Sequence, residues 1–381
     1  MRRSSCPTNA TNPDYIGARP TIAGNAAIWR VALAVIACLA TTAAYAQQEP
    51  RPIRVGVIGF DTSHVIHFTT ALNAAEPAAE FASCRVVAGF PPGSPDIPSS
   101  VSRVPDYIRQ MQDLDVTVVD SIAELLERVD AVLLETNDGR PHLEQALPVL
   151  KSGKPVFVDK PIAASLADAI AIFDAAEHYG AQIFSSSALR FSADTRAVQE
   201  GAIGDVLGCD VYGPCPLEPT HPDFSWYGIH GVEALVAVMG PRCLSVARTQ
   251  TKYQELAVGV WEGGRIGTFR GLRTDGPLPA PLHERVGEDA GKSISAPQHG
   301  GIAFGTKGSM PIGSFDGYLP LLSEIVTFFR TGVPPVSREQ TLAVMAFIEA
   351  ADQSKMSGGQ PVSVERVMEE ARREALKWRS W

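Results

Sequence analysis

The sequence predicts an α/β protein: a doubly wound parallel sheet, then an α/β domain built on an open, mostly antiparallel sheet. Three observations lead there. From Ile53 to Ser187, short apolar runs alternate with amphipathic stretches, the pattern of βαβ units with right-handed crossovers. After Arg190 the texture changes to short strand-like runs divided by Gly and Pro. The chain has 381 residues, 45% apolar and 20% charged, which suits two domains with a sizeable core and not a disordered polymer.

The elements follow in order. Residues 1–46 read as a secretory signal peptide. The uncharged apolar stretch Val31 to Thr42 follows Arg30 and leads to Ala44-Tyr45-Ala46, a small-x-small cleavage site. The stretch is shorter than the roughly 20 residues of a membrane span. The mature protein is therefore expected to be periplasmic or extracellular, with no transmembrane span. Val35-Ile36-Ala37-Cys38 supports a rival reading, a lipoprotein anchored at Cys38.

IRVGVIG (Ile53 to Gly59) has the make-up of a buried parallel strand, and Asp61-Thr62-Ser63 open a helix to about Ala75. RVVAGF, TVVD, DAVLLET, PVFVDKP and QIFSSS are the further strands. Between them, Ser121 caps IAELLERV, Pro141 starts a helix ending near Gly153, and Ser165 caps LADAIAIFDAAEHYG. LGCDVYG, CLSVARTQT, LAVGVWEGG and RIGTFRGL form the second sheet. Pro277 to Gly301 reads as a long loop, and Leu319 to Thr331 and Ser337 to Gln353 as helices. The expected domains are 51–165 and 166–370.

The formal net charge is −9 and no lysine-rich run is present, which excludes nucleic acid as a partner. Of six cysteines, Cys84, Cys209, Cys215 and Cys243 lie beyond the signal segment. No Cys-x-x-Cys occurs. They are expected as isolated buried thiols, with a Cys209–Cys215 disulfide as the alternative in an oxidising compartment.

From about Ile53 to Val364 the chain resembles the Gfo/Idh/MocA oxidoreductases. The resemblance rests on VGVIG, SIAELLERVDAVLLETN with Pro141-His142, KSGKPVFVDKP, EGAIGDV after Arg190-Phe191, Gly228-Ile229-His230-Gly231-Val232-Glu233, and GTKGSM. It implies a Rossmann domain binding NAD or NADP. It also implies a C-terminal domain that faces a carbohydrate-like substrate and pairs with a second subunit as a homo-oligomer. By the same resemblance Lys160 is the active-site lysine, with Asp159 in place of the family's glutamate. His230 is the catalytic histidine, Thr136, Asn137 and His142 line the nicotinamide ribose, and Glu233 orients the imidazole.

Departures from that pattern are equally specific. A dinucleotide fingerprint is G-x-G-x-x-G. Here the window is Gly59-Phe60-Asp61-Thr62-Ser63-His64, so Asp61 and His64 replace the second and third glycines. A carboxylate is then expected where a diphosphate should sit. Asp61 reads either as an ordinary N-cap or, with His64 and His67, as a pocket residue. Asp61 and His64 share a helix face but offer only two donors, so no metal is expected. Phe90-Pro91-Pro92-Gly93 stands where an acidic residue usually holds the adenosine ribose, with Arg103 near enough for a 2′-phosphate. Trp226 stands where the family places an aspartate, leaving Tyr227 to donate a hydrogen bond. Arg190 is expected to hold a substrate carboxylate or phosphate, and His221 to lie in a substrate loop or a plain turn.

Three functions are compatible with these residues. The leading one is an NAD(P)-dependent oxidoreductase acting on a sugar, polyol or related hydroxyl compound. The second is a redox-inactive ligand-binding protein on the same fold. The third is a non-redox lyase or hydrolase.

Overall fold

The computed structural model describes residues 51–273 and 298–378. The expected signal peptide, Cys38 and most of the 277–301 loop lie outside them.

The parallel sheet begins with β1 (Ile53–Ile58), followed by α1 (Ser63–Leu72), β2 (Cys84–Phe90), α2 (Pro98–Asp113), β3 (Thr117–Val118) and α3 (Ile122–Arg128). It continues through β4 (Ala131–Leu134), α4 (His142–Lys151), β5 (Val156–Asp159), α5 (Leu166–Tyr179) and β6 (Ile183–Ser186). The order is β3-β2-β1-β4-β5-β6, all parallel, so the topological switch lies between β1 and β4. β4 and β5 are fully buried, as unbroken apolar runs in a sheet covered on both faces should be. Ser121 and Ser165 cap α3 and α5 with their hydroxyls, as their positions predict.

The second sheet is built from β7 (Val206–Pro214), β8 (Cys243–Gln250), β9 (Gln254–Trp261), β10 (Arg265–Leu272), β11 (Gly300–Gly305), β12 (Gly308–Ile312) and β13 (Val362–Ser363). Its order is β12-β11-β7-β10-β9-β8-β13, and only the β7–β10 pair is parallel. α6 (Ala193–Gln199), α7 (Ile229–Met239), α9 (Arg338–Met356) and α10 (Val364–Ala375) accompany it. α7 lies directly on the sheet: a Cβ on Gly231 would come within 2.2 Å of the Phe269 ring. Cys84, Cys209, Cys215 and Cys243 are free and buried. Among the described residues no helix is long and apolar enough to cross a membrane.

Three features differ from the sequence expectation. β6 pairs with β5 in the first sheet, as the βαβ pattern predicts, so the parallel unit runs past the expected domain boundary at residue 165. α2 was not anticipated, because its stretch carries Pro105 and buries only Ser100 and Met111 completely. α8 (Leu319–Thr331) returns to the first sheet, where Leu321, Leu322, Ile325 and Phe328 join the core of Val55, Val57, Phe68 and Phe184.

Candidate active site

A cavity of about 520 Å³ opens at the carboxyl edge of the parallel sheet, where open α/β sheets hold their ligands. One wall is the start of α1 with Thr62, Ser63 and His64. Asn137 follows β4, Asp159 and Lys160 end β5, and Ser187 follows β6. The opposite wall is Trp226, Tyr227 and His230, on a wide π-type turn (Phe224–Gly228) running into α7. His299, Phe315 and Tyr318 complete it, with Ser99 and Arg103 from α2. Lys160 and His230, far apart in sequence, thus line one cavity.

His230 is held by Ser187. Its Nδ1 lies 2.6 Å from Ser187 Oγ. Burial first, then Lys160, His299 and His64, hold the imidazole well below its usual range, so it is neutral at pH 7. Tyr227 packs against both His230 and His299 with ring centroids 5.1 and 5.9 Å away, and burial raises its phenol. Burial and Lys160 push His299 down to about 4.

Glu233 is not the direct partner of His230. Its carboxylate accepts from Ser186 Oγ at 2.5 Å, from the Ser187 backbone N–H at 2.8 Å and from Arg190 Nε at 2.8 Å. It positions the imidazole only through Ser187, a residue the sequence did not single out. Its one visible signal was its place after a parallel strand. Arg190 is likewise corrected: it is 3% exposed and spent on Glu233, so it does not line this cavity.

The phosphate-loop expectation is overturned in its geometry. Asp61 is fully buried and points into the protein. Its Oδ1 accepts the Asn137 backbone N–H at 2.9 Å and its Oδ2 accepts Ser100 Oγ at 2.8 Å. Burial raises it to about 6, partly offset by those bonds. The carboxylate therefore does not stand in the diphosphate position. Thr62 occupies the N-cap of α1, but its hydroxyl donates to Glu135 Oε2 at 3.2 Å and gives the helix no side-chain cap. The first-turn N–H groups, beside Ser63 and His64, keep the positive end of the helix open to the cavity. Arg103 lies nearby, donating to the Asp61 carbonyl at 3.1 Å. At the far end Phe90 closes β2, and the first acidic residue beyond it, Asp96, pairs with Arg140.

Other expected residues are structural. Thr136 is buried, donates to Gln145 Oε1 at 3.0 Å and packs on Gly59. His142 is fully buried, with Nε2 2.7 Å from the Thr136 carbonyl and Nδ1 3.2 Å from that of Ile162, so it cannot reach a ribose. His221 is buried, accepts the Gly139 N–H at 3.2 Å at Nε2 and packs at a tilt against Trp226, with ring centroids 5.2 Å apart. It braces a turn and does not line the cavity. His67 is exposed and lies outside the cavity, against Tyr318. Asp61 and His64 do not act as a pair.

His64 instead meets two carboxylates. Its Nδ1 is 3.1 Å from Asp159 Oδ1 and 3.6 Å from Glu135 Oε2. Burial opposes its charge, but Asp159 and Glu135 outweigh this and push it up to about 10. Glu135, read only as the end of a strand, is fully buried, and burial, opposed by His64, raises it to about 7.

Comparison with known proteins gives this architecture a relationship. The family model for oxidoreductases with an NAD-binding Rossmann fold, Gfo/Idh/MocA, matches residues 53–187. The match spans the parallel-sheet unit, from β1 through β6. The matched family is NAD-binding. An inositol 2-dehydrogenase from Gluconacetobacter diazotrophicus is 32% identical over 99 residues, which are 24% of this chain and 29% of that enzyme. The aligned part is thus under a third of that relative's length. Two solved structures share the fold over most of the chain. A probable dehydrogenase from Thermotoga maritima has a TM-score of 0.64 at 20% identity, covering 83% of this chain and 100% of that one. Scyllo-inositol dehydrogenase from Lactobacillus casei, with bound NAD(H) and scyllo-inositol, scores 0.63 at 16% identity over 83% and 100%.

Proposed function

We propose that this chain is an NAD(P)-dependent oxidoreductase that moves hydride between the nicotinamide and a carbon–oxygen bond of a polyol or sugar. The observation that carries this reading is the meeting of Lys160 and His230 in one cavity beside the open N-terminus of α1. The relationship to inositol dehydrogenases supports the substrate class.

The residues present fit the diphosphate and nicotinamide side of the cofactor. With Asp61 turned inward, the α1 terminus and Arg103 are available to an anion. Gly59, at φ +83°, keeps the turn tight. At the adenosine end the first acidic residue after β2, Asp96, is paired with Arg140, which predicts weak discrimination there. Bound nicotinamide would supply the hydride acceptor or donor. Neutral His230, donating Nδ1–H to Ser187 Oγ, presents Nε2 to take the substrate hydroxyl proton. The Lys160 ammonium would hold the same oxygen as charge develops on it. Trp226 and Tyr227 present apolar ring surface suited to a sugar face.

The test is mass analysis of the purified protein for nucleotide, then nicotinamide reduction with a panel of inositols and sugars. Lys160→Ala and His230→Ala should each lower turnover by about 10²–10⁴-fold and leave the melting temperature near that of the parent. Losses smaller than multiplicative in the double variant would mark one proton-transfer unit. Turnover without nucleotide would replace this reading by the lyase or hydrolase. Ligand binding without any turnover would leave the redox-inactive binder.

A further inference from the structure

We propose that His64, Glu135 and Asp159 form a binding site for a divalent transition-metal ion at the floor of the cavity. The three come from separate elements: His64 from α1, Glu135 from the residue after β4, and Asp159 from the end of β5. All are buried, and one donor atom from each lies within 4.8 Å of the other two. His64 Nδ1 is 3.1 Å from Asp159 Oδ1 and 3.6 Å from Glu135 Oε2. A tetrahedral ion with bonds of about 2.1 Å needs ligand-to-ligand edges of about 3.4 Å, close to both distances from His64.

The independent sign is unmet bonding capacity. Glu135 Oε1, both Asp159 carboxylate oxygens and His64 Nδ1 are buried without a hydrogen-bond partner. Buried polar atoms rarely stay so, and carboxylate lone pairs least of all. Of the donors nearby, the Thr62 hydroxyl serves Glu135 Oε2, and the His64 imidazole and the Lys160 backbone N–H lie against Asp159. A cation directed at all three residues satisfies these atoms together.

The donor set selects the ion. One imidazole with two carboxylates suits zinc, manganese or ferrous iron. Calcium and magnesium prefer oxygen alone, and cuprous copper prefers sulfur. His64 and Asp159 line the cavity whereas Glu135 does not. Remaining coordination positions would therefore face the cavity, where a substrate hydroxyl or carbonyl oxygen completes them. The site is read from protein atoms alone, so metal binding and nucleotide binding can fail separately.

The experiment strips the full chain with EDTA and titrates it calorimetrically with zinc chloride and manganese chloride, without nucleotide. We expect one ion per chain and a rise in melting temperature. His64→Gln, Glu135→Gln and Asp159→Asn should each weaken binding by about 100-fold or more and abolish the thermal shift. No saturable binding of either ion by the parent overturns the site. So does unchanged affinity in all three variants. Should a variant unfold, X-ray absorption of the zinc-loaded parent decides. One imidazole with oxygens at about 2.0 Å supports the site, and a thiolate or all-oxygen shell overturns it.

Discussion

Asp61 shows how a single side chain inverts a reading made from its neighbours. In the sequence it interrupts a glycine fingerprint and threatens a bound diphosphate. In the fold it is a buried brace between β1, α2 and the turn after β4. Its ionisation carries a testable cost. Unfolded, an aspartate titrates near 4, whereas here burial lifts it to about 6. The folded state therefore holds the extra proton between these values. The stability this contributes is complete below about pH 4 and is lost as pH rises through 6. Asp61→Asn keeps the shape and removes the charge. Its stability should be flatter from pH 4 to 7 than the parent's, by about 3 kcal/mol across that window, measured by chemical denaturation at each pH. Parallel curves for the two proteins would refute the assignment. His64, Glu135 and Ser187 belong to the same scale: ordinary residue types in ordinary places, whose roles come only from what faces them.

At the scale of elements, the β1–α1 turn was legible and its tolerance is now definite. Gly59 has φ +83°, and a Cβ there would lie 2.4 Å from Thr136 Oγ1 and 2.6 Å from the Thr136 backbone nitrogen. The neighbour is the rigid end of a central strand, so it cannot yield cheaply. Gly59→Ala should cost about 2–5 kcal/mol, joining backbone strain to overpacking. Denaturant midpoints check this, and a change under about 0.5 kcal/mol, the size of a neutral surface substitution, would contradict it. α2 marks the opposite case. Its Pro105 and mostly exposed polar face gave no apolar period to read, yet its Ser100 hydroxyl and Arg103 guanidinium shape the phosphate side of the cavity.

At the scale of the whole molecule, the second sheet and its helices are joined by a buried ion network. Arg248 on β8 is buried between Glu255 of β9, Asp352 of α9 and Asp223 beside the π-type turn, with its guanidinium 4.3 Å over the Phe224 ring. Arg273 also pairs with Glu255, and Lys355 with Asp223. Asp223 precedes the turn that presents Trp226 and Tyr227, so the network fixes one wall of the cavity from behind. Arg248→Ala strands buried carboxylates and should destabilise by about 3–5 kcal/mol. The Arg248→Met, Glu255→Gln pair should recover part of that loss. Thermal melts of the three proteins test it, and additive losses would show the network is not a unit.

The sequence alone determined the alternating βαβ order, the change of texture after Arg190, the caps at Ser121 and Ser165, and the pairing of Lys160 with His230 through family resemblance. These are local or periodic properties, written in residue type and spacing. The tertiary structure alone decided which polar atoms meet. It turned Asp61 inward, took Arg190 and Glu233 for each other, buried His142 and His221, and brought His64, Glu135 and Asp159 together. Those outcomes depend on the twist of the sheet and on where separate strand ends converge. A polar side chain buried there must find whatever partner lies within about 3 Å, and no spacing along the chain encodes that partner.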